Sequence, residues 1–376
     1  MKHIRRQKRF LLFIGKLGGG GAERVFIEYA NGLVKTGAEV HLVCLEGGSY
    51  ESSLTEKVAL YKMNVRMRNA WLPLFRLARK IRPDVILSGL TGGNLVGSIV
   101  GRLANIPSVW SSVHNDIRLG DARQKASLGW AEPLAIKVAC KLSSQVITVS
   151  DGVRDFLIED VGVDSDFISV IYNPIYHEDL IKLANQPIAP ELSYLIDYER
   201  PFLVAAGRLE RQKGFDLLIE AYRRSGLKTK GVRVVILGEG SELRSLRKQI
   251  VQSELEEHIF LPGFVNNPYS VFSKSCGFIL SSRWEGFGNV LVEAMACGVP
   301  VISFDCPSGP AEVIGKTAGC IIVPNGDIEL LAKAMTSLAT KKTEEVEHVA
   351  LLSRAKMFSR DASAEKLLHV LQRNDT

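Results

Sequence analysis

Short apolar runs alternate with helical patterns from one end of the chain to the other, and this alternation predicts parallel sheets covered by helices. Residues 10–14 and 40–45 form the first two runs, and an apolar repeat at helical spacing lies between them. Lys35 and Gly37 predict where this helix ends, because a basic last turn followed by glycine is common at helix C-termini. The other predicted strands of this half cover 85–88, 108–113, 145–149 and 168–171.

The alternation stops after residue 173 and restarts near residue 201. The segment up to residue 200 holds three prolines and has no clear period, which is typical of a connection. Beyond it, strands are predicted at 202–206, 232–237, 259–261, 277–280, 300–303 and 320–323, with a helical tail over 344–373. The pattern predicts two doubly wound α/β domains, over 1–176 and 201–356, joined by 177–200. Such domains bind ligands at the carboxyl ends of strands, so we expect the chemistry in the cleft between them.

The composition excludes several classes of protein. The chain is 46% hydrophobic, which excludes a disordered or low-complexity chain. No apolar stretch reaches the roughly 18 residues of a membrane span, and the apolar run after the basic N-terminus is too short for a signal peptide. We therefore expect a cytoplasmic protein. Its six cysteines form no CxxC pair, which fits reduced thiols.

The formal net charge of +6 is concentrated at the N-terminus. Five of the positive charges fall within the first nine residues, on Lys2, Arg5, Arg6, Lys8 and Arg9. The rest of the chain is nearly neutral, so no nucleic-acid partner is expected. Together with the basic and apolar segment 71–80, this N-terminus gives the hypothesis of peripheral contact with the cytoplasmic face of the inner membrane. The alternative is a solvated N-terminus followed by an ordinary core-facing helix.

A glycine-rich loop, 15–21, follows the first predicted strand and precedes the first helix. Glycines allow close approach of a ligand, and amides at a helix N-terminus suit a phosphate. The spacing matches neither the dinucleotide motif nor a P-loop. A merely flexible turn is the alternative.

The second domain opens with a similar loop, in which Arg208 and Lys213 lie between a strand and a helix. Both side chains could reach one diphosphate, the guanidinium through two hydrogen bonds and the ammonium as a point charge. Two solvated surface cations are the alternative.

The most informative segment is 281–300, where Glu285 precedes a predicted helix and Glu293 lies about one turn inside it. Apolar residues surround Glu293, which favours a paired or ligand-bound carboxylate over an exposed one. The amides of residues 286–290 are suited to phosphate.

These motifs resemble those of the retaining glycosyltransferases of sequence family four. The resemblance rests on EGFGNVLVE with the AMACGVPVISFDCPSGPAEVI that follows, on GRLERQKG and LGEGSEL, and on the glycine loop with GGAERV. It covers essentially the whole chain. It implies the GT-B fold, two facing Rossmann-like domains with a cleft between them, and a C-terminal helix over 357–376 that crosses back to the first domain.

The resemblance also implies roles for individual residues. Arg208 and Lys213 would hold the donor diphosphate, Glu285 would contact sugar hydroxyls or support the reacting centre, and Glu293 would bind the ribose. Backbone amides would come from Gly286, Phe287, Gly288 and Asn289, and the opposite domain would bring Gly18, Gly19 and Gly20 to the phosphates. His114, which follows a strand end, would lie near the donor sugar; a loop or core histidine is the alternative.

The sequence also contains a metal-binding pattern, which we interpret as a turn. Asp164 and Asp166 have the Asp-x-Asp form that holds a divalent metal in other glycosyltransferases, but they lie in a polar loop before a strand. We expect no metal and no cofactor, with Arg208 and Lys213 in the metal's place.

The implied reaction is transfer, with anomeric retention, of a hexose or N-acetylhexosamine from a nucleotide-diphosphate sugar. The resemblance to bacterial enzymes of polysaccharide synthesis implies UDP rather than GDP, and an acceptor hydroxyl on a glycan or polyprenyl-linked glycan. A nucleotide-sugar epimerase or hydrolase and a two-domain sugar-binding protein remain as alternatives.

Overall fold

The computed structural model describes residues 7–18, 20–115, 131–193, 200–340 and 344–374. The chain divides into two compact units, one formed by Met1–Ile175 with Phe358–Thr376 and the other by Tyr176–Met357. The segment 177–200, predicted as a connection, is part of the second unit and contains the helices Asp179–Ala184 and Pro190–Ser193.

Among the described residues, the first unit forms a sheet of seven parallel strands in the order β3-β2-β1-β4-β5-β6-β7. The strands are β1 Arg9–Lys16, β2 Glu39–Glu46, β3 Ala59–Lys62, β4 Val85–Gly89, β5 Ser108–Val113, β6 Gln145–Thr148 and β7 Ile168–Val170. The sequence analysis did not predict β3, a four-residue edge strand in which no residue is fully buried. The strand order changes direction between β1 and β4, where ligands bind in open α/β sheets.

The helices of this unit are α1 Gly21–Lys35, α2 Trp71–Ile81, α3 Thr91–Leu103, α4 Glu132–Leu142 and α5 Asp151–Phe156. The predicted end of α1 is confirmed. Gly37 has a φ of 87°, and its N–H donates to the carbonyl of Val34 at 3.0 Å. Only glycine adopts this backbone conformation without strain.

The second unit repeats this architecture, with six described parallel strands in the order β10-β9-β8-β11-β12-β13. Its strands are β8 Phe202–Ala206, β9 Arg233–Leu237, β10 Ile259–Gly263, β11 Gly277–Leu280, β12 Val301–Asp305 and β13 Cys320–Pro324. Its helices are α6 Asp179–Ala184, α7 Pro190–Ser193, α8 Phe215–Ser225, α9 Leu243–Gln252, α10 Tyr269–Phe272, α11 Asn289–Ala296, α12 Pro310–Ile314, α13 Ile328–Thr340 and α14 Glu345–Lys356. The order changes direction between β8 and β11, which places the loops after these two strands side by side.

The predicted helical tail is two helices, α14 and α15 Arg360–Asn374, because Phe358 interrupts it. Phe358 is 1% exposed, and its carbonyl accepts a hydrogen bond from the N–H of Ile175 at 2.9 Å. The last helix belongs to the first unit and packs on α1. Arg360 pairs there with the buried carboxylate of Glu28 at 2.5 Å.

Candidate active site

Two loops of the second unit meet at the carboxyl ends of the neighbouring strands β8 and β11. The first runs from Gly207 to Gly214 and contains the 3₁₀ turn Arg211–Lys213; the second runs from Ser281 to Gly288. Most of the polar residues that the sequence singles out in this half lie on these loops.

Lys213 and Glu285 form a buried ion pair. Nζ of Lys213 lies 2.5 Å from Oε1 of Glu285, and the two side chains are 15% and 8% exposed. Ser282 donates a hydrogen bond to the same carboxylate oxygen at 2.6 Å. A buried pair is stable only when further hydrogen bonds satisfy its charges, as the Ser282 hydroxyl does here. Sequence reasoning singled out both charged residues but did not foresee their contact or the role of Ser282.

Three contacts fix the second loop against the first loop and against α8, which follows it. Ser281 donates from its hydroxyl to the carbonyl of Lys213 at 2.9 Å. Gly214 has a φ of +62°, and a Cβ there would lie 2.0 Å from the carbonyl oxygen of Ser281. Arg283 binds both carboxylate oxygens of Asp216, at 2.7 and 2.6 Å. Although burial opposes it, hydrogen bonding from Arg283 holds the pKa of the Asp216 carboxyl below its usual value.

Arg208 stands apart from this network. Its side chain is exposed and forms no hydrogen bond or ion pair with any residue that the structure describes. The loop that carries it packs against two glycines that sequence reasoning gave no role. A Cβ on Gly238 would lie 1.9 Å from the carbonyl oxygen of Gly207, and one on Gly240 would lie 2.3 Å from that of Leu209. The feature of the sequence that could have indicated this close packing is the pair of glycines, Gly238 and Gly240, directly after β9.

The segment from Gly286 to Asn289 leads into the N-terminus of α11. Gly288 is the N-cap residue, with a φ of +90°. Phe287 is 2% exposed, so its side chain packs inside the unit. A Cβ on Gly309 would lie 2.4 Å from the Cα of Phe287, which shows how closely the loop after β12 approaches this segment. The partial positive charge of the helix N-terminus therefore lies beside the Glu285 loop.

Glu293 is buried, as its apolar neighbours predict. It is 6% exposed on α11, one turn after the helix begins. Burial, together with the negative charge of Glu293, raises the pKa of Cys297 to about 12. A carboxylate this deeply buried is not the exposed group of an ordinary surface helix.

The glycine loop of the first unit differs from the expectation of free amides. The N–H of Gly20, the N-cap residue of α1, donates to the carboxylate of Glu23 at 2.7 Å. Glu23 is 4% exposed and satisfies this amide as an N-terminal capping side chain. Gly18 lies against Gly48, and a Cβ added to Gly48 would fall 2.5 Å from the carbonyl oxygen of Leu17. Gly19 lies outside the described residues.

His114 follows β5 and is 7% exposed. Its Nε2 atom lies 3.0 Å from the hydroxyl of Ser112, and its ring centroid lies 6.1 Å from that of Phe26. Burial lowers the pKa of His114 to about 4. The imidazole is therefore neutral near pH 7, where it can hydrogen-bond to a ligand but is not the imidazolium that would act as a general acid.

Asp164 and Asp166 form a local turn. The Asp164 side chain accepts a hydrogen bond from the N–H of Asp166 at 3.1 Å, and both residues are exposed. Within the described ranges, no three histidine, cysteine, aspartate or glutamate side chains are grouped as metal ligands.

Comparison with known families and structures identifies the class of protein. A profile described as Glycosyltransferase Family 4 matches residues 19–179, and one described as Glycosyl transferases group 1 matches residues 193–352. The crystal structure of Anabaena HepE in complex with UDP and glucose superposes with a TM-score of 0.79 at 20% identity. The match covers 98% of this chain and 100% of that one, so the two share the GT-B fold.

Two curated relatives match over nearly their whole length. The Campylobacter jejuni N-acetylgalactosamine-N,N'-diacetylbacillosaminyl-diphospho-undecaprenol 4-alpha-N-acetylgalactosaminyltransferase is 27% identical, over 96% of this chain and 98% of the relative. The Escherichia coli UDP-Gal:alpha-D-GlcNAc-diphosphoundecaprenol alpha-1,3-galactosyltransferase is 24% identical, over 86% of this chain and 85% of the relative. With both of its halves matched by glycosyltransferase profiles and its fold shared along its length, the chain belongs to glycosyltransferase family four.

Proposed function

We propose that this glycosyltransferase moves a hexose or N-acetylhexosamine from a UDP-sugar to a hydroxyl of a glycan or lipid-linked acceptor, with retention at the anomeric carbon. The observation that carries the proposal is the Lys213–Glu285 pair beside the N-terminus of α11. The UDP in the HepE complex supports the choice of nucleotide, and the names of both curated relatives contain a diphospho-undecaprenol unit.

Arg208 and Lys213 bind the donor diphosphate in this proposal. Arg208 is suited to the task because its exposed guanidinium has no partner among the described residues. Lys213 keeps two further N–H donors besides the one directed at Glu285. Its ammonium can therefore bind a phosphate oxygen without releasing the carboxylate.

The remaining donor contacts in this proposal are those that the family resemblance implies. Glu285 contacts sugar hydroxyls at the reacting end, and Glu293 binds the ribose. The backbone of Gly286, Phe287, Gly288 and Asn289 binds sugar or phosphate at the helix N-terminus. From the first unit, His114 contacts the donor sugar as a neutral hydrogen-bonding group, and Gly18, Gly19 and Gly20 approach the phosphates.

We infer a same-face substitution without a covalent enzyme intermediate. The bond from the anomeric carbon to the diphosphate oxygen breaks, the bond to the acceptor oxygen forms, and the acceptor proton passes to the departing phosphate oxygen. Lys213 and Ser282 both bind the Oε1 atom of Glu285, so the proposal gives this carboxylate a supporting role and not that of a nucleophile. Positioning and stabilisation of the leaving diphosphate then supply the catalysis, without a required metal.

The test is the release of UDP from a panel of UDP-sugars with and without a polyprenyl-diphosphate-linked glycan acceptor, in buffer containing EDTA. We expect release that depends on acceptor and continues in EDTA, with NMR showing the donor's anomeric configuration in the product. Conversion of the donor without acceptor contradicts the transferase assignment and supports an epimerase or hydrolase. Loss of turnover in EDTA contradicts the metal-free mechanism, and an inverted product contradicts retention.

A further inference from the structure

Helix α14 of the second unit carries apolar side chains on two opposite sides. Leu351 and Ala355 are buried on its inner side, and the helix packs against α11. On its outer side Val346 is 74% exposed and Val349 is 57% exposed, and Met357, directly after the helix, is 62% exposed. At 3.6 residues per turn, these three side chains form a stripe opposite the buried pair. We call this surface the outer stripe.

The outer stripe differs from the solvent-facing side of an ordinary helix, which is polar. Val346 has the largest exposed fraction of any large apolar side chain that the structure describes. The same side of the helix holds Ala350 and Ser353, whose small side chains leave hollows between the large ones. Like every other described helix, α14 is not long and apolar enough to cross a bilayer. Alternating large and small side chains are suited to packing against a second helix.

The two ends of α14 carry opposite charges. Glu345 lies at the N-terminus and Lys356 at the C-terminus, and both are exposed. Their side chains form no hydrogen bond or ion pair with any residue that the structure describes. Because they are about three turns apart, they lie along the same flank of the outer stripe. An antiparallel helix of the same sequence would therefore bring its Lys356 beside Glu345, and its Glu345 beside Lys356.

This charge pairing sets a register that also matches the outer stripe. The midpoint of the pairing lies between Ala350 and Leu351. In this register, Val346 of one copy is opposite the space between Ser353 and Met357 of the second copy. A twofold axis makes every such contact occur twice, as in an isologous dimer.

A cavity of about 470 Å³ lies beside the N-terminal end of α14. Glu344, Glu345 and His348 line it from the helix, and its described lining contains no lysine or arginine. The same register brings Lys356 of the second copy to this end of the helix. The cavity thus offers space and opposite charge to that side chain.

We propose that α14 joins two copies of this chain in an antiparallel, twofold-symmetric dimer. The outer stripe lies at the centre of the contact, and a Glu345–Lys356 pair lies at each end. A single helix gives a smaller contact than the roughly 800 Å² per partner of a standard interface, so the dimer dissociates on dilution. None of these residues belongs to the proposed donor site, so this proposal does not depend on the proposed function.

The experiment is sedimentation velocity of the full chain over a range of concentrations. We expect the mass to rise from one chain to two as the concentration increases. Val349→Asp should raise the Kd of the dimer at least about tenfold, because the new carboxylate would be buried against the second copy. The matched control is Val251→Asp, because Val251 on α9 is 56% exposed, against 57% for Val349. This control should keep the wild-type Kd.

Charge reversal tests the antiparallel register. Lys356→Glu should raise the Kd about fivefold, because two glutamates then lie opposite each other at both ends. The double variant Glu345→Lys, Lys356→Glu should recover most of the affinity. Both reversals are unfavourable for the dipole of α14, so recovery would not come from a more stable helix. Denaturant unfolding checks that each variant is folded.

Three outcomes would overturn the proposal. They are a wild-type chain that stays monomeric at every concentration, equal weakening by Val349→Asp and Val251→Asp, and a double variant that dimerises no better than Lys356→Glu.

Discussion

The Nζ atom of Lys213 lies 2.5 Å from Oε1 of Glu285, although 72 residues separate them along the chain. The contact joins the loop after β8 to the loop after β11. It places a cation and a carboxylate together at the carboxyl edge of the second sheet, and Ser282 donates to the same carboxylate oxygen. In the proposed mechanism, Lys213 binds the leaving diphosphate and Glu285 supports Lys213.

Replacing Glu285 by Gln should lower kcat by about a hundredfold, because the variant keeps the size of the side chain but leaves Lys213 without its counter-charge. Ser282→Ala should have a smaller effect of about tenfold, since it removes one hydrogen bond to the charged carboxylate. Steady-state rates of UDP release measure both. Glu257→Gln, at an exposed position, is the control. A Glu285→Gln variant that folds and keeps the wild-type kcat would refute the assigned role.

Gly214 and Gly226 offer a matched test of how the loops are held together. Their φ angles are similar, +62° at Gly214 and +69° at Gly226. A Cβ added at Gly214 would collide with the carbonyl of Ser281, whereas a Cβ added at Gly226 would have no atom within 4 Å. Gly226→Ala should lower the free energy of unfolding by about 1 kcal/mol, from the left-handed backbone alone. Gly214→Ala should lower it at least about twice as much, and should raise KM for the donor because Lys213 is displaced. Denaturant unfolding and donor titration measure the two effects; equal losses of stability would show that the close approach to Ser281 is unimportant.

His114 should make the stability depend on pH. Its pKa is about 4 in the folded chain, against 6.5 for an ordinary histidine, so the unfolded chain binds more protons between these values. Its contribution is fully present above about pH 6.5 and is lost as the pH falls towards 4. From pH 7 to pH 5 the wild type should lose about 2 kcal/mol more than His114→Gln. Unfolding free energies of both proteins at the two pH values measure this. Parallel losses would mean that His114 is not held neutral by burial.

The last helix, α15, forms two ion pairs with α1, one buried and one exposed. The side chains of Arg360 and Glu28 are 17% and 5% exposed, whereas those of Lys35 and Asp361 are 57% and 63% exposed. Arg360→Met should cost about 3 kcal/mol of unfolding free energy, because it leaves Glu28 buried without a partner. Lys35→Met should cost less than about 1 kcal/mol. If Arg360→Met proved no more costly than Lys35→Met in denaturant unfolding, α15 would not be held by this pair.

The sequence predicted those features that depend on local pattern. The buried strands β8 and β11 and the end of α1 follow from apolar runs and a glycine stop, and the structure confirms them. Glu285 and Glu293 stood out by their spacing and surroundings. Features that depend on tertiary contacts were missed. Strand β3 pairs at an edge without a buried run, and Phe358 breaks the tail by packing into the first unit.

Contacts between distant loops were equally hidden. The spacing of residues along the chain does not predict the contact of Lys213 with Glu285 or of Arg283 with Asp216. Each pair forms only because β8 and β11 lie side by side in the folded sheet. The expectation of a free amide at Gly20 failed for a local reason: a glutamate three residues into α1 caps the helix.

The most direct test of the central claim compares acceptor-dependent UDP release by the wild type, Lys213→Ala, Lys213→Arg and Lys230→Ala at saturating donor and acceptor. Lys230 is an exposed lysine of the same unit and controls for the loss of a charge. If Lys213 stabilises the departing diphosphate, Lys213→Ala should lose most of the activity, at least about a hundredfold in kcat. Lys213→Arg should recover part of it, and Lys230→Ala should match the wild type. A near-normal kcat for a folded Lys213→Ala variant would contradict the account.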